Sequence, residues 1–255
     1  MFSWTAWRRK RLMRRPLPPA WEQALGYLPL LHGLRADERR KLEGLMQVFV
    51  AEKSFEGCGG LDMREKIEVV IAAQACLLIL HLHHDFYHRV RSILVYPTTF
   101  RHRMMHPQGD GTMAAVEGEH LGEAWPGGPV VLAWDSAYQG GRAGEDGQNT
   151  VIHEFAHKLD MLDGSTDGIP PLTADLDPAG WRADFDRAFD DHRTAMERGH
   201  PRLIDAYGAT SPAEFFAVAS ENFFERPVGL RRQEPAFYRR LADFYRQDPA
   251  HRLEG

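Results

Sequence analysis

His153-Glu154-Phe155-Ala156-His157 constrains this 255-residue chain more than any other stretch. In a helix, at about 100° per residue, the two histidines fall roughly 40° apart on one face, and both imidazoles reach one ion about 2 Å from each. Glu154 lies at the edge of the same arc. There a carboxylate can hydrogen-bond a water on the metal without displacing a ligand, which is where a general base is needed. The flanks predict the helix independently: Asn149 is placed as N-cap, apolar Val151, Ile152, Phe155, Ala156 and Leu159 surround the motif, and the run reaches Asp163 before Gly164 stops it. With 13 His in the chain, the five-residue pattern recurs by chance in roughly one such sequence in twenty. The apolar setting, where unpaired polar groups are costly, therefore carries the argument.

Two histidines leave a catalytic zinc in need of a third protein ligand, with the fourth position open to water. The segment Glu214-Phe-Phe-Ala-Val-Ala-Ser-Glu221-Asn-Phe-Phe224 is mostly apolar around its circumference and predicts a buried helix. Its two carboxylates, seven residues apart, are only about 20° off one face, so one is free to bind the metal while the other supports a ligand histidine. Spacing does not rank them. Ser211-Pro-Ala-Glu214 also reads as a capping box, in which Glu214 bonds back to the backbone. Asp160, three residues after His157, is suited to orienting a ligand or to holding the next turn.

Around this centre the chain divides into a basic start (1–19) and one domain (20–255), helical over about 20–85 and catalytic over about 86–255. Strand-like runs at Ser92 to Tyr96 and Pro129 to Trp134 predict a small sheet. The second is a candidate edge strand for holding an extended substrate. Gln139 to Gln148 reads as a glycine-rich loop and Asp163 to Pro178 as irregular. Helices are expected at about 179–198, 211–224 and 235–245, giving an α+β class. The net charge of −5 argues against a direct nucleic-acid binder. Cys58 and Cys76 lack disulfide or zinc-knuckle spacing and read as buried thiols in a reducing compartment. The 12-residue apolar stretch Val69 to Leu80 is too short to span a bilayer, which needs roughly 20 residues. The basic run Arg8 to Arg15 is not followed by a secretory signal's apolar core, so the cytoplasm is the expected location. That run reads as a solvated arm, with acidic lipid, nucleic acid or protein as alternative contacts.

The residues also resemble a known family. His153-Glu-Phe-Ala-His-Lys-Leu-Asp160, Ile204-Asp-Ala-Tyr207-Gly, Ser211-Pro-Ala-Glu-Phe-Phe-Ala-Val218, Leu94-Val-Tyr-Pro-Thr-Thr-Phe100, Val131-Leu-Ala-Trp-Asp135 and the Gln247-Asp-Pro249 tail are similar to the Mlc titration factor A family. These are zinc peptidases related to the catalytic domain of anthrax lethal factor. The resemblance covers nearly the whole chain and implies a zincin-like domain with one Zn2+. It implies His153, His157 and Glu214 as ligands, Glu154 as base and Tyr207 as catalytic tyrosine, and so places Glu214 ahead of Glu221. By itself Tyr207 would read as a core or surface tyrosine. The resemblance further implies aminopeptidase-like action on small peptides and, as a reading of a different class, binding and titration of the transcriptional repressor Mlc.

Two weaker features remain. His81, His83, His84 and His88 with Asp85 suggest a second metal tract, His84 and His88 being four apart, although ordinary helix-end histidines are the commoner outcome. Arg101 to His106 is similar and weaker. Asp160, Asp163 and Asp167 lack calcium-loop spacing and read as turn chemistry.

Overall fold

The computed structural model describes residues 4–82, 87–98, 100–107, 113–120, 122–124 and 128–254, with backbone alone at 100–107, 113–120 and 122–124. In chain order the elements are α1 (Trp4–Leu12), α2 (Pro19–Leu25), α3 (Ala36–Glu52), β1 (Ser54–Gly57), α4 (Glu65–Leu78), β2 (Ser92–Tyr96), β3 (Phe100–Pro107), β4 (Met113–His120), β5 (Gly122–Ala124) and β6 (Val130–Ala133). They continue with α5 (Trp134–Ala143), α6 (Thr150–Asp160), α7 (Pro178–Glu197), α8 (Pro212–Glu225), α9 (Pro227–Gln233), α10 (Pro235–Tyr245) and α11 (Pro249–Glu254). The fold is mostly helical with a small, largely parallel sheet, consistent with the expected α+β class.

Apolar burial explains the arrangement. Every residue of α4 from Val69 to Leu78 is buried, as is every residue of α8 from Phe215 to Glu225. Helices apolar all round must be covered on all sides. Accordingly α4 packs against α2, α3, α5 and α6, while α8 packs against α6, α9 and α10. The motif helix α6 thus lies between the two most buried helices. One aromatic group fixes α8 from outside: the rings of Phe215 and Phe237 stand 5.4 Å apart, Phe185 and Phe215 5.5 Å, and Trp181 and Phe237 5.8 Å. Tyr87 and Phe155, 4.8 Å apart, do the same for the inner face of α6.

The four-stranded sheet runs β1-β2-β6-β5, with β1, β2 and β6 parallel and β5 antiparallel to β6. The edge-strand expectation for Pro129 to Trp134 needs correction, because β6 has a partner on each side and all four of its residues are buried. Continuous burial marks a strand covered on both faces. The edge beside it is β5, which lies next to α6. Trp134 begins α5 instead of ending the strand.

The loop expected at Gln139 to Gln148 is also corrected, since α5 continues to Ala143. Its glycines serve close approach. A Cβ at Gly141 would sit 2.9 Å from Leu28 Cδ2 and 3.0 Å from Gln74 Nε2, and one at Gly140 would sit 2.9 Å from the Gln148 carbonyl oxygen. Helix α6 begins after Asn149 as the sequence predicts and ends at Asp160, three residues before the expected stop, with a 3-10 turn at Met161–Asp163 carrying the run into Gly164 at φ +97°. The basic start forms a helix, and β1 interrupts the helical first third. Cys76 is buried while Cys58 is partly exposed. No helix among the described residues is long and apolar enough to cross a membrane.

Candidate metal centre

Two helix starts bring the site together. Asn149 Oδ1 accepts the Ile152 N–H at 3.0 Å and fixes the first turn of α6. Ser211 Oγ accepts the Glu214 N–H at 3.2 Å, with Pro212 opening α8. The Glu214 side chain points to the histidines. Its Oε2 lies 3.0 Å from His153 Nε2 and 3.3 Å from His157 Nε2, and the two Nε2 atoms are 3.2 Å apart. Ligand atoms on a tetrahedral ion with bonds of about 2.0–2.1 Å are themselves about 3.3 Å apart. The triangle therefore fits one face of a zinc tetrahedron. Among the described residues, it is the one cluster of three or more His, Cys, Asp or Glu that brings its ligand atoms together in this way.

Glu221 has the other task. Its Oε1 lies 2.8 Å from His153 Nδ1, and its Oε2 accepts the Asn149 N–H. The carboxylate calls for a proton on Nδ1, which leaves the Nε2 lone pair facing Glu214 and His157. Lone pairs converging in this way favour a cation between them. The local field points the same way. Burial opposes charge on His153, yet Glu214 and Glu221 hold its pKa well above the ordinary histidine value. Burial raises Glu214, yet His153 and His157 hold its carboxyl well below the usual range. The cage draws positive charge.

The network extends behind Glu221. Asn149 Nδ2 donates to Gln74 Oε1 at 2.8 Å and to Glu225 Oε1 at 2.9 Å, and Glu225 Oε2 accepts the Gly147 N–H at 3.1 Å. Gln74 Nε2 in turn donates to the carbonyls of Val70 and Ala137. Burial pushes Glu225 up to about 8. Neither Gln74 nor Glu225 belongs to a motif in the sequence. Their signals were an amide within an apolar helix and an acid one turn beyond Glu221.

Glu154 is buried, and its charge acts on His153, Lys158 and Tyr207. Tyr207 occupies a 3-10 turn, Ala206–Ala209, where Asp205 accepts its N–H at 2.8 Å. Its half-exposed ring has its centroid 6.0 Å from that of His153. Partial burial, with the charges of Glu214 and Glu154, pushes the phenol up to about 12, so it remains a hydrogen-bond donor near neutrality. Lys158, which no sequence motif singles out, donates from Nζ to Gly128 O at 2.9 Å and Pro129 O at 3.3 Å, tying α6 to the entrance of β6. Asp160 serves the next turn by accepting the Gly168 N–H at 3.1 Å.

Asp163 accepts from the Ser165 N–H and Oγ, as turn chemistry requires. His81 Nε2 lies 3.1 Å from Glu38 Oε1. His83, His84 and Asp85 of the second histidine tract lie outside the described residues, as do the side chains of Arg101 to His106.

The family model for glucose-regulated metallo-peptidase M90 matches residues 4–246. An uncharacterized protein of Synechocystis is 38% identical over 96% of this chain and 90% of its own length. Mlc titration factor A of Cronobacter sakazakii is 34% identical over 93% and 89%, and that of Salmonella typhi 34% identical over 91% and 88%. The chain belongs to the glucose-regulated metallo-peptidase M90 family.

Proposed function

We propose that the chain is a cytoplasmic zinc peptidase in which His153, His157 and Glu214 hold one zinc ion, Glu154 is the general base and Tyr207 the oxyanion donor. The observation that carries this reading is the Nε2, Nε2, Oε2 triangle on an H-E-x-x-H helix in a member of a metallo-peptidase family. When bound, the ion lowers the pKa of its water towards roughly 7 and polarises the scissile carbonyl. Glu154 takes the proton of the attacking water and delivers it to the leaving amine. Tyr207 donates its phenolic hydrogen to the negative charge that develops on the carbonyl oxygen. The edge position of β5, beside α6, supports an extended peptide bound through backbone hydrogen bonds. Aminopeptidase-like action on small peptides is the finer form of the proposal.

A peptide-library digest tests it. Chelation should abolish cleavage and added zinc should restore it. Free N-termini should be cut in preference to acetylated ones. Full activity in the chelated protein would overturn the metallopeptidase mechanism, and equal cutting of blocked peptides would overturn the aminopeptidase assignment. Glu221→Gln should weaken zinc binding about 10- to 100-fold, as loss of a carboxylate that orients a ligand histidine does. A competitive chelator titration reads that change, and an unaltered affinity would leave Glu221 with a purely structural role.

A second reading, binding of an Mlc-type transcriptional repressor, is supported by the name of the relatives in Cronobacter and Salmonella. A variant that disables the base alone tests whether the two activities are separable.

A further inference from the structure

The charge of this chain is segregated. Arg8, Arg9, Lys10, Arg11, Arg14 and Arg15 precede its first acidic residue, Glu22, although the chain as a whole carries −5. Arg8 to Arg11 lie on α1, which is docked on the body of the protein, and Arg14 and Arg15 lie in the turn that follows it. Arg9 Nε and Nη2 donate to the two carboxylate oxygens of Glu52 at 2.8 and 2.6 Å, and Gln47 Nε2 donates to Arg15 O at 2.9 Å. Met13 fits against Gly44, where an added Cβ would lie 3.1 Å from Met13 Cβ. With Arg9 held inward, helical geometry sets Trp4, Trp7 and Arg11 within an arc of about 60° on the outer side, and Arg14 is exposed in the turn that follows.

Exposure agrees with that arc. Trp4 is 67% and Trp7 44% exposed, and the Arg11 guanidinium sits 5.7 Å from the Trp7 ring centroid. Two indoles held in water beside arginines, away from the core, are unexplained by folding. Indoles settle at the boundary between lipid headgroups and acyl chains, while long cationic side chains reach the phosphates above them. A single-stranded nucleic acid would also accept cations and rings, but it is bound in a groove that tracks its backbone. Here the rings stand on an outward-facing helix with Trp4, Thr5, Ala6, Trp7 and Arg8 all exposed.

We propose that α1 and the turn after it form a peripheral docking segment for an anionic phospholipid bilayer, with Trp4 and Trp7 entering the headgroup boundary and Arg11 and Arg14 pairing with lipid phosphates. The test is co-sedimentation of the full chain with phosphatidylcholine vesicles, with and without about 30% phosphatidylglycerol. Binding should require the anionic lipid, fall at least tenfold in the Trp4→Ala/Trp7→Ala variant and in the Arg11→Glu/Arg14→Glu variant, and weaken in high salt. Circular dichroism of both variants should match the parent, which separates lost docking from lost folding. Failure to sediment with anionic vesicles would overturn the proposal. So would equal binding to uncharged vesicles, unchanged binding in folded variants, or tighter binding to a single-stranded oligonucleotide than to vesicles.

Discussion

Glu154→Gln is expected to keep its zinc and to lose peptide turnover by about 100- to 10,000-fold, the usual contribution of a positioned general base. Glutamine preserves the size of the side chain and one acceptor oxygen but cannot take up a proton near neutral pH. The site allows this substitution to be informative. Glu154 is 4% exposed, on the same helix as the two histidines and outside the triangle they form with Glu214. Removing its charge should therefore change the chemistry while leaving the ligands in place. Metal analysis and kcat on a small peptide, measured on the same sample, check both halves. Turnover within tenfold of the parent would assign the base elsewhere. The same loaded variant examines the second function: retained capture of an Mlc-type repressor would show that titration needs no cleavage, and loss of capture would make the two activities one.

The motif helix was legible because three local signals agreed: the Asn149 cap, the apolar frame and Gly164. The proposed third ligand was not legible from spacing. Glu214 and Glu221 share a face of α8, and the structure uses both on the same imidazole, one near Nε2 and the other at Nδ1. No one-dimensional pattern distinguishes two such positions, because the distinction lies in how α8 crosses α6; the family resemblance supplied it. Strand order was hidden for a related reason. The run Val130 to Ala133 reads as an apolar strand in either place, and its edge neighbour Gly122-Glu-Ala124 carries no strand signal at all. Gly140 and Gly141 suggested a loop by composition, whereas their role is to let α5 approach Gln74 and Gln148 closely. The buried group formed by Gln74, Asn149, Glu221 and Glu225 joins residues up to 151 positions apart. Such a network becomes readable only when packing brings its members together.

Glu214→Ala should remove the metal itself. Of the three atoms in the triangle, the histidine nitrogens are neutral ligands, and Glu214 Oε2 brings the one negative charge. Its loss deletes a ligand and the nearest charge compensating a divalent ion, so zinc affinity is expected to fall on the order of 1,000-fold or more. That exceeds the 10- to 100-fold effect of an orienting partner. The substitution lies at the third position of α8, where its backbone N–H, bonded to Ser211 Oγ, is kept by alanine. Helix start and core packing should therefore survive, and circular dichroism should register no change. Zinc content after dialysis, compared between Glu214→Ala and Glu221→Gln, ranks the two carboxylates directly. If the Glu214 variant emerges with stoichiometric zinc while the Glu221 variant emerges empty, the ligand assignment reverses and His153 must be gripped through Nδ1. The observed separations favour Glu214, because, of the two carboxylates, its oxygen stands within about one tetrahedral edge of both Nε2 atoms, while Glu221 lies at Nδ1 of His153.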